Sequence, residues 1–350
     1  MERFIGLDTH SASCTFAVVG PSGKRLQSQV VETNGKALVE FVKTVPRKRR
    51  LCMEEGTQSQ WLHEILSPHV DEIVVAGVGR SRGNKSDCSD AFGLAEALRV
   101  GSIKTRVFKG GRELQKLREL ARVYQMVTGD VTRAQSRLKS VYRSRGIQTP
   151  GARVYGTRER EVWIARLDPA RAAAARTLYA QYDAGVGIKK ACQQELLAEA
   201  GKHAMWRLLR TAPGFGPLRA AQLLPVVVTP HRFRTSRQFW SYCGFGVVMR
   251  SSSDWVKQQR GWVRAEVSRT RGLNRNYNSI LKNIFKGAAT TVINQLRESA
   301  LAQDYRRQLD AGTKPNLAKL TLARRIAATV LAMWKHEEVY DPNRSARTTA

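Results

Sequence analysis

Short apolar runs separated by turns fill the N-terminal third of the chain. Residues 4–8, 15–19 and 25–32 read as three strands, with Pro21-Ser22-Gly23-Lys24 as a hairpin turn between the last two. Asn34-Gly35 caps a helix with Leu38, Phe41 and Val42 at helical spacing. A fourth strand ends at Glu54, and Gly56-Thr57 turns into a helix carrying Trp61, Leu62, Ile65 and Leu66. Residues 73–76 form a fifth strand, and residues 87–98 open a further helix.

Beyond Gly110 the pattern changes. Leu114, Leu117, Leu120, Tyr124 and Val127 recur at helical spacing among arginines and lysines. Residues 159–180 and 188–200 read as two more polar helices, with Pro150-Gly151 as a break. This predicts a helical spacer over 109–203, a coiled-coil arm suited to self-association. A second globular region spans 204–340. In it, residues 208–224 read as helix, Gly-x-Gly hairpin and helix, and helices follow over 281–289 and 317–334. Residues 341–350 form a tail.

The N-terminal order, βββαβαβ and then a helix, is that of the α/β ribonuclease-H-like fold. In such a sheet the first strand is central and the fourth lies beside it. Asp8 and Glu54 then end neighbouring strands, and the next helix can bring Asp87 and Asp90 across them. Glu55 is the rival to Glu54. Carboxylates gathered in this way suit hard divalent cations. Each has a bland reading too, Asp87 as an N-cap and Asp90 as a first-turn dipole partner.

Charge sets the partner class. A formal charge of +30 and a pI near 10.7 on 350 residues call for a polyanion, and DNA or RNA is the natural one. No apolar run is long enough for a membrane span. The five cysteines are scattered singly, which argues against structural zinc or disulfides and for reduced thiols in a cytoplasmic protein. Met1-Glu2-Arg3 leads straight into a strand, so no signal peptide is expected. The basic loop 77–86 offers Arg80, Arg82 and Lys85 to phosphates. Between Glu199 and Asp254 no acid occurs, while eight Lys and Arg residues do, among them Arg210, Arg219 and Arg250. Trp240, Tyr242 and Phe245 interleave with them as a nucleic-acid face. Gly214 and Gly216 present hairpin backbone to a phosphate, and Arg271, Arg275, Lys282 and Lys286 are suited to backbone contacts. The run Ser251-Ser252-Ser253 is either a turn or a nucleophile, and no histidine lies near it in sequence to activate it.

These motifs resemble the DEDD insertion-sequence transposases, a family with a RuvC-like domain followed by a transposase domain. The N-terminal signatures are Gly6-Leu7-Asp8-Thr9-His10, Met53-Glu54-Glu55-Gly56-Thr57 and Lys85-Ser86-Asp87 through Asp90-Ala91. The C-terminal ones are Pro213-Gly214-Phe215-Gly216, Tyr242-Cys243-Gly244-Phe245-Gly246, Arg250-Ser251-Ser252-Ser253-Asp254-Trp255, and Gly272-Leu273-Asn274-Arg275 followed by Phe285-Lys286-Gly287-Ala288-Ala289. The resemblance implies that Asp8, Glu54, Asp87 and Asp90 hold Mg²⁺ (or Mn²⁺) and that a serine attacks the scissile phosphate to form a phosphoserine link. The family pattern puts that nucleophile at Ser252, two residues before Asp254, with Ser251 and Ser253 as alternatives. It further implies double-stranded donor and target DNA, a structured non-coding guide RNA, and a homo-oligomer, dimer or tetramer, assembled through the arm. Two other classes fit the same residues: a RuvC-like nuclease that uses water, and a non-catalytic nucleic-acid-binding scaffold.

Overall fold

In the computed structural model, which describes residues 1–77, 86–103, 106–108, 110, 112–249, 255–259, 261–264 and 270–342, the chain forms two units, Met1–Gly110 and Gly111–Ala350. The first is built on one mixed sheet. Its strands are β1 (Arg3–Thr9), β2 (Ser13–Val19), β3 (Arg25–Glu32), β4 (Arg49–Glu54) and β5 (Glu72–Ala76), ordered β3-β2-β1-β4-β5. β1, β2 and β3 are antiparallel, whereas β4 and β5 run parallel to β1. The helices are α1 (Gly35–Thr44), α2 (Ser59–Leu66) and α3 (Asp87–Arg99).

Alternation along the strands sorts their side chains between two apolar layers. Ile5, Leu7, Leu51 and Met53 pack with Leu38, Phe41, Leu62 and Leu66 of α1 and α2. Phe4, Cys52, Val74 and Ala76 pack on the other face with Ala91, Phe92, Ala95 and Leu98 of α3. Gly6 belongs to the α3 face. A Cβ there would run into the Ala91 carbonyl and lie 2.7 Å from the Ala95 nitrogen, so only glycine lets this helix rest on this strand. Asn34 caps α1 as the sequence predicts, accepting from the Lys36 and Ala37 N–H groups.

The second unit begins with a helical hairpin, α4 (Gln115–Arg143), the short α5 (Arg160–Ile164) and α6 (Pro169–Ala200). At its base Lys116 pairs with Glu199 at 3.3 Å, and at its tip the buried Tyr142 and Tyr179 hydroxyls meet at 3.1 Å. The helices expected over 159–180 and 188–200 need correcting. Chain direction changes at Asp168, whose carboxylate caps α6 by accepting from the Arg171 N–H ahead of Pro169. From there α6 runs unbroken through Gly185 and Gly187. A Cβ on Gly185 would stand 3.2 Å from the Val131 side chain of α4, so this glycine serves close packing between the helices.

The remaining helices are α7 (Ala204–Leu209), α8 (Pro217–Val227), α9 (Ser236–Tyr242), α10 (Ser279–Gln295), α11 (Ala300–Asp310) and α12 (Pro315–His336). The base of the expected spacer is part of their core. Leu117, Tyr124, Leu196 and Ala200 are buried in one cluster with Phe215, Phe239, Phe245, Phe285 and Ile326. Buried Asp304 of α11, held by Arg307 and Arg325, ties α11 to α12. Two small antiparallel pairs interrupt the helices: β6 (Val247–Met249) with β9 (Thr270–Leu273), and β7 (Trp255–Gln258) with β8 (Gly261–Arg264). Among the described residues no helix is long and apolar enough to cross a membrane.

Two measurements check this packing. Gly6→Ala should destabilise the first unit by about 1–3 kcal/mol in urea unfolding, the usual range for overpacking. Gly93→Ala, on the open side of α3 where a Cβ meets nothing, should be neutral or gain up to about 1 kcal/mol. At the arm tip the Arg145 guanidinium and then the Arg171 N–H hold the Asp168 carboxyl down at about 2. A depressed carboxyl contributes stability above its free value of about 4 and loses it as pH falls toward the folded value. Amide protection at residues 170–172, taken relative to the intrinsic exchange rate at each pH, should therefore fall between pH 4 and 2, and Asp168→Ala should show that lower protection already at neutral pH.

Candidate functional site

The ladder between β1 and β4 pairs Gly6 with Cys52 and Leu7 with Met53, so Asp8 and Glu54 come next, at the same edge of the sheet. By alternation from Gly6 and Cys52, both belong to the face covered by α3. Glu55 lies one residue past the strand, where its N–H donates to the Ala76 carbonyl at 2.8 Å. α3 starts at the same edge. Ser86 is its N-cap, accepting from the Ser89 N–H, and Asp87 and Asp90 occupy its first turn, one turn apart on one face.

One group comes together closely. Ligand-type atoms of Asp8, His10 and Asp87 all lie within 4.8 Å of one another and could hold a metal ion. His10 Nε2 is 3.2 Å from the Asp8 carboxylate and 3.4 Å from that of Asp87. Asp8 forms the sheltered wall, with its side chain 20% exposed against 61% for Asp87 and 52% for His10. The turn after β1 positions His10. Its N–H donates to the Ser13 carbonyl, and its own carbonyl accepts from Thr33 Oγ1 at 3.0 Å and Gln58 Nε2 at 3.4 Å. Glu54 and Asp90 stand outside this group. Beneath them burial, reinforced by the Glu54 charge, pushes the Cys52 thiol up to about 12, so it stays protonated and offers no competing thiolate. His10 was missed as a ligand in the sequence, although its place two residues after a strand-end aspartate was the available signal.

The second unit sorts the basic residues into two groups. Arg210, Arg275 and Lys286 are exposed; Arg210 stacks on the Trp206 ring, and half-buried Lys282 lies over Tyr277. Arg219 is turned inward instead. Its Nη1 donates to the Gly214 carbonyl at 2.6 Å and to Thr291 Oγ1 at 3.0 Å, and burial lowers its pKa. Gly214, at φ +71, is buried where a Cβ would strike the Ala288 carbonyl, while Gly216 is half-buried with open space beside it. The aromatic residues expected on a nucleic-acid face are packed inward: Phe245 is fully buried, and Trp240 Nε1 donates to the Arg324 carbonyl. Gly244, at φ +75, would place a Cβ 2.5 Å from the Tyr277 ring, so this glycine lets the chain pass under Tyr277 on its way to β6. Arg80, Arg82, Lys85, Arg250, Ser251, Ser252 and Ser253 lie outside the described residues, as does the side chain of Arg271 on β9.

Residues 5–144 match the DEDD transposase family of the IS110 type, and residues 206–306 match the transposase IS116/IS110/IS902 family. The first match contains Asp8, Glu54, Asp87 and Asp90; the second contains the glycine hairpin, the serine run and Lys282. No curated protein matches the chain.

Metal titration tests the cluster directly. Mn²⁺ binding, read by electron paramagnetic resonance, should weaken at least tenfold in Asp8→Asn and in His10→Ala while the circular dichroism spectrum is retained. Unchanged affinity in both would remove the cluster as a metal site.

Proposed function

The chain belongs to the IS116/IS110/IS902 family of transposases, and from that premise we propose that it cuts and rejoins insertion-sequence DNA through a covalent phosphoserine intermediate. The observation that carries the reading is the convergence of Asp8, His10 and Asp87 where β1 ends beneath the start of α3. The strand order β3-β2-β1-β4-β5, antiparallel then parallel, supports a ribonuclease-H-like, RuvC-like assignment for the first unit. The two carboxylate oxygens and one imidazole nitrogen fit a divalent cation such as Mg²⁺ or Mn²⁺, and the nitrogen favours Mn²⁺. Asp8, Asp87 and His10 would hold it, with Glu54 and Asp90 at the same edge. When bound, such an ion neutralises charge developing on a scissile phosphate and acidifies a coordinated oxygen.

The protein's own groups do the rest. The Ser252 hydroxyl attacks phosphorus, forming a Ser–O–P bond as the bond to one deoxyribose oxygen breaks. The hydroxyl proton passes to a base, and the departing oxygen takes up a proton. Attack by the hydroxyl of the incoming strand reverses these changes and frees the serine. Phosphodiester energy is conserved in the protein–DNA bond, so strands are exchanged with no external energy source. In this reading Arg210, Arg275 and Lys286 contact the DNA backbone, and their exposure supports that role. A guide RNA fits the same excess of positive charge.

Incubation with element-end DNA followed by denaturing electrophoresis decides the matter. Wild-type protein should trap a covalent adduct. Ser252→Ala and Asp8→Asn should lose it, and Ser251→Ala and Ser253→Ala should keep it. Cleavage to free ends with no adduct would replace this mechanism with attack by water.

A further inference from the structure

The β7–β8 hairpin carries two tryptophans into solvent, Trp255 at 59% and Trp262 at 66% exposure. Phe239 and Phe245, which precede the hairpin in sequence, are by contrast fully buried. The register pairs Lys257 with Trp262 and Trp255 with Arg264. Directly opposed residues of an antiparallel pair share a face, and so do residues two apart along a strand. Trp255, Lys257 and Trp262 therefore lie on one face, with the indoles at diagonal positions about 7–8 Å apart and the lysine beside both. Among the described residues neither indole meets another ring or a cation, and Lys257 has no ion pair.

Charge says what would cover this face. Residues 255–264 contain Lys257, Arg260 and Arg264 and no acid, a composition that attracts a polyanion. Aromatic faces with a neighbouring cation bind nucleic acid by stacking on bases, and duplex DNA keeps its base faces covered. Trp255 also follows Asp254 directly, three residues after Ser252. A strand that has been cut and is being exchanged there is unpaired for part of the reaction. Building on the transposase reading, we propose that the Trp255–Lys257–Trp262 face binds unpaired DNA, stacking one base on each indole with Lys257 on the intervening phosphate.

The test uses the full chain in EDTA, so that neither metal binding nor strand cleavage enters the readout. A fluorescein-labelled thymidine oligonucleotide, the same length of uridine RNA and a DNA duplex are compared by anisotropy. Trp255→Ala and Trp262→Ala should each weaken binding of the single-stranded DNA roughly 5- to 150-fold, the range that base–aromatic stacking spans. Duplex affinity should change less than about twofold. A Trp255→Phe/Trp262→Phe double variant should keep most single-strand affinity while losing the quenching of intrinsic tryptophan fluorescence that the oligonucleotide causes in wild type. Retained quenching in that variant, equal losses on duplex, or a loss confined to RNA would each overturn the proposal. So would a shift in oligomeric state by light scattering in the double alanine variant, which would make the face a protein interface. Asp8→Asn protein should bind the oligonucleotide like wild type, so failure of the cleavage chemistry and failure of this face are told apart.

Discussion

Backbone rests on backbone where α3 crosses β1 at Gly6, and the acidic cluster exists because of that contact. With no side chain between them, the helix drops onto the strand, and the small Ala91 and Ala95 complete the seat. The first turn of α3 then overhangs the end of β1, and Asp87 comes within reach of Asp8. Gathering carboxylates costs repulsion. The dipole of α3 offsets part of it for Asp87 and Asp90, and His10 stands between Asp8 and Asp87.

Much of the first unit was legible because its strands are short, apolar and bounded by strong turn residues. That regularity gave the strand sequence and put Asp8 and Glu54 at strand ends. Pairing the acidic residues with His10 was not legible. It depends on the turn closed by the His10 N–H and the Ser13 carbonyl, a tertiary detail with no periodic signature. The continuity of α6 was hidden for a related reason. Gly185 and Gly187 are poor helix residues by propensity, and packing against α4 outweighs that preference.

The second unit misled in a different way. Aromatic residues interleaved with arginines look like a nucleic-acid surface, yet here the arginines roof an aromatic core. Arg232 lies over the Phe233 and Tyr242 rings while donating to the Val227 carbonyl, and Arg324 donates to the Phe245 carbonyl. Long basic side chains bury their stems and donate their N–H groups to backbone carbonyls of the core. Arg219 does the same for the glycine hairpin. The same composition describes a binding face and a roofed core, and only tertiary placement separates them.

The arm is fastened at both ends, by Lys116 and Glu199 at the base and by the two tyrosines at the tip. Its helices of 29 and 32 residues make it about 45 Å long, more than one turn of duplex DNA. Each residue added to a helix advances it by about 1.5 Å and turns it by about 100°. A lone insertion in α4 would therefore break the match between Val131 and Gly185 and swing the tip around the arm axis. Seven residues added to both helices would restore the azimuth to within about 20° and lengthen the reach by about 10 Å. Related arms are thus expected to differ in length by whole heptads, with the tip always facing the same way.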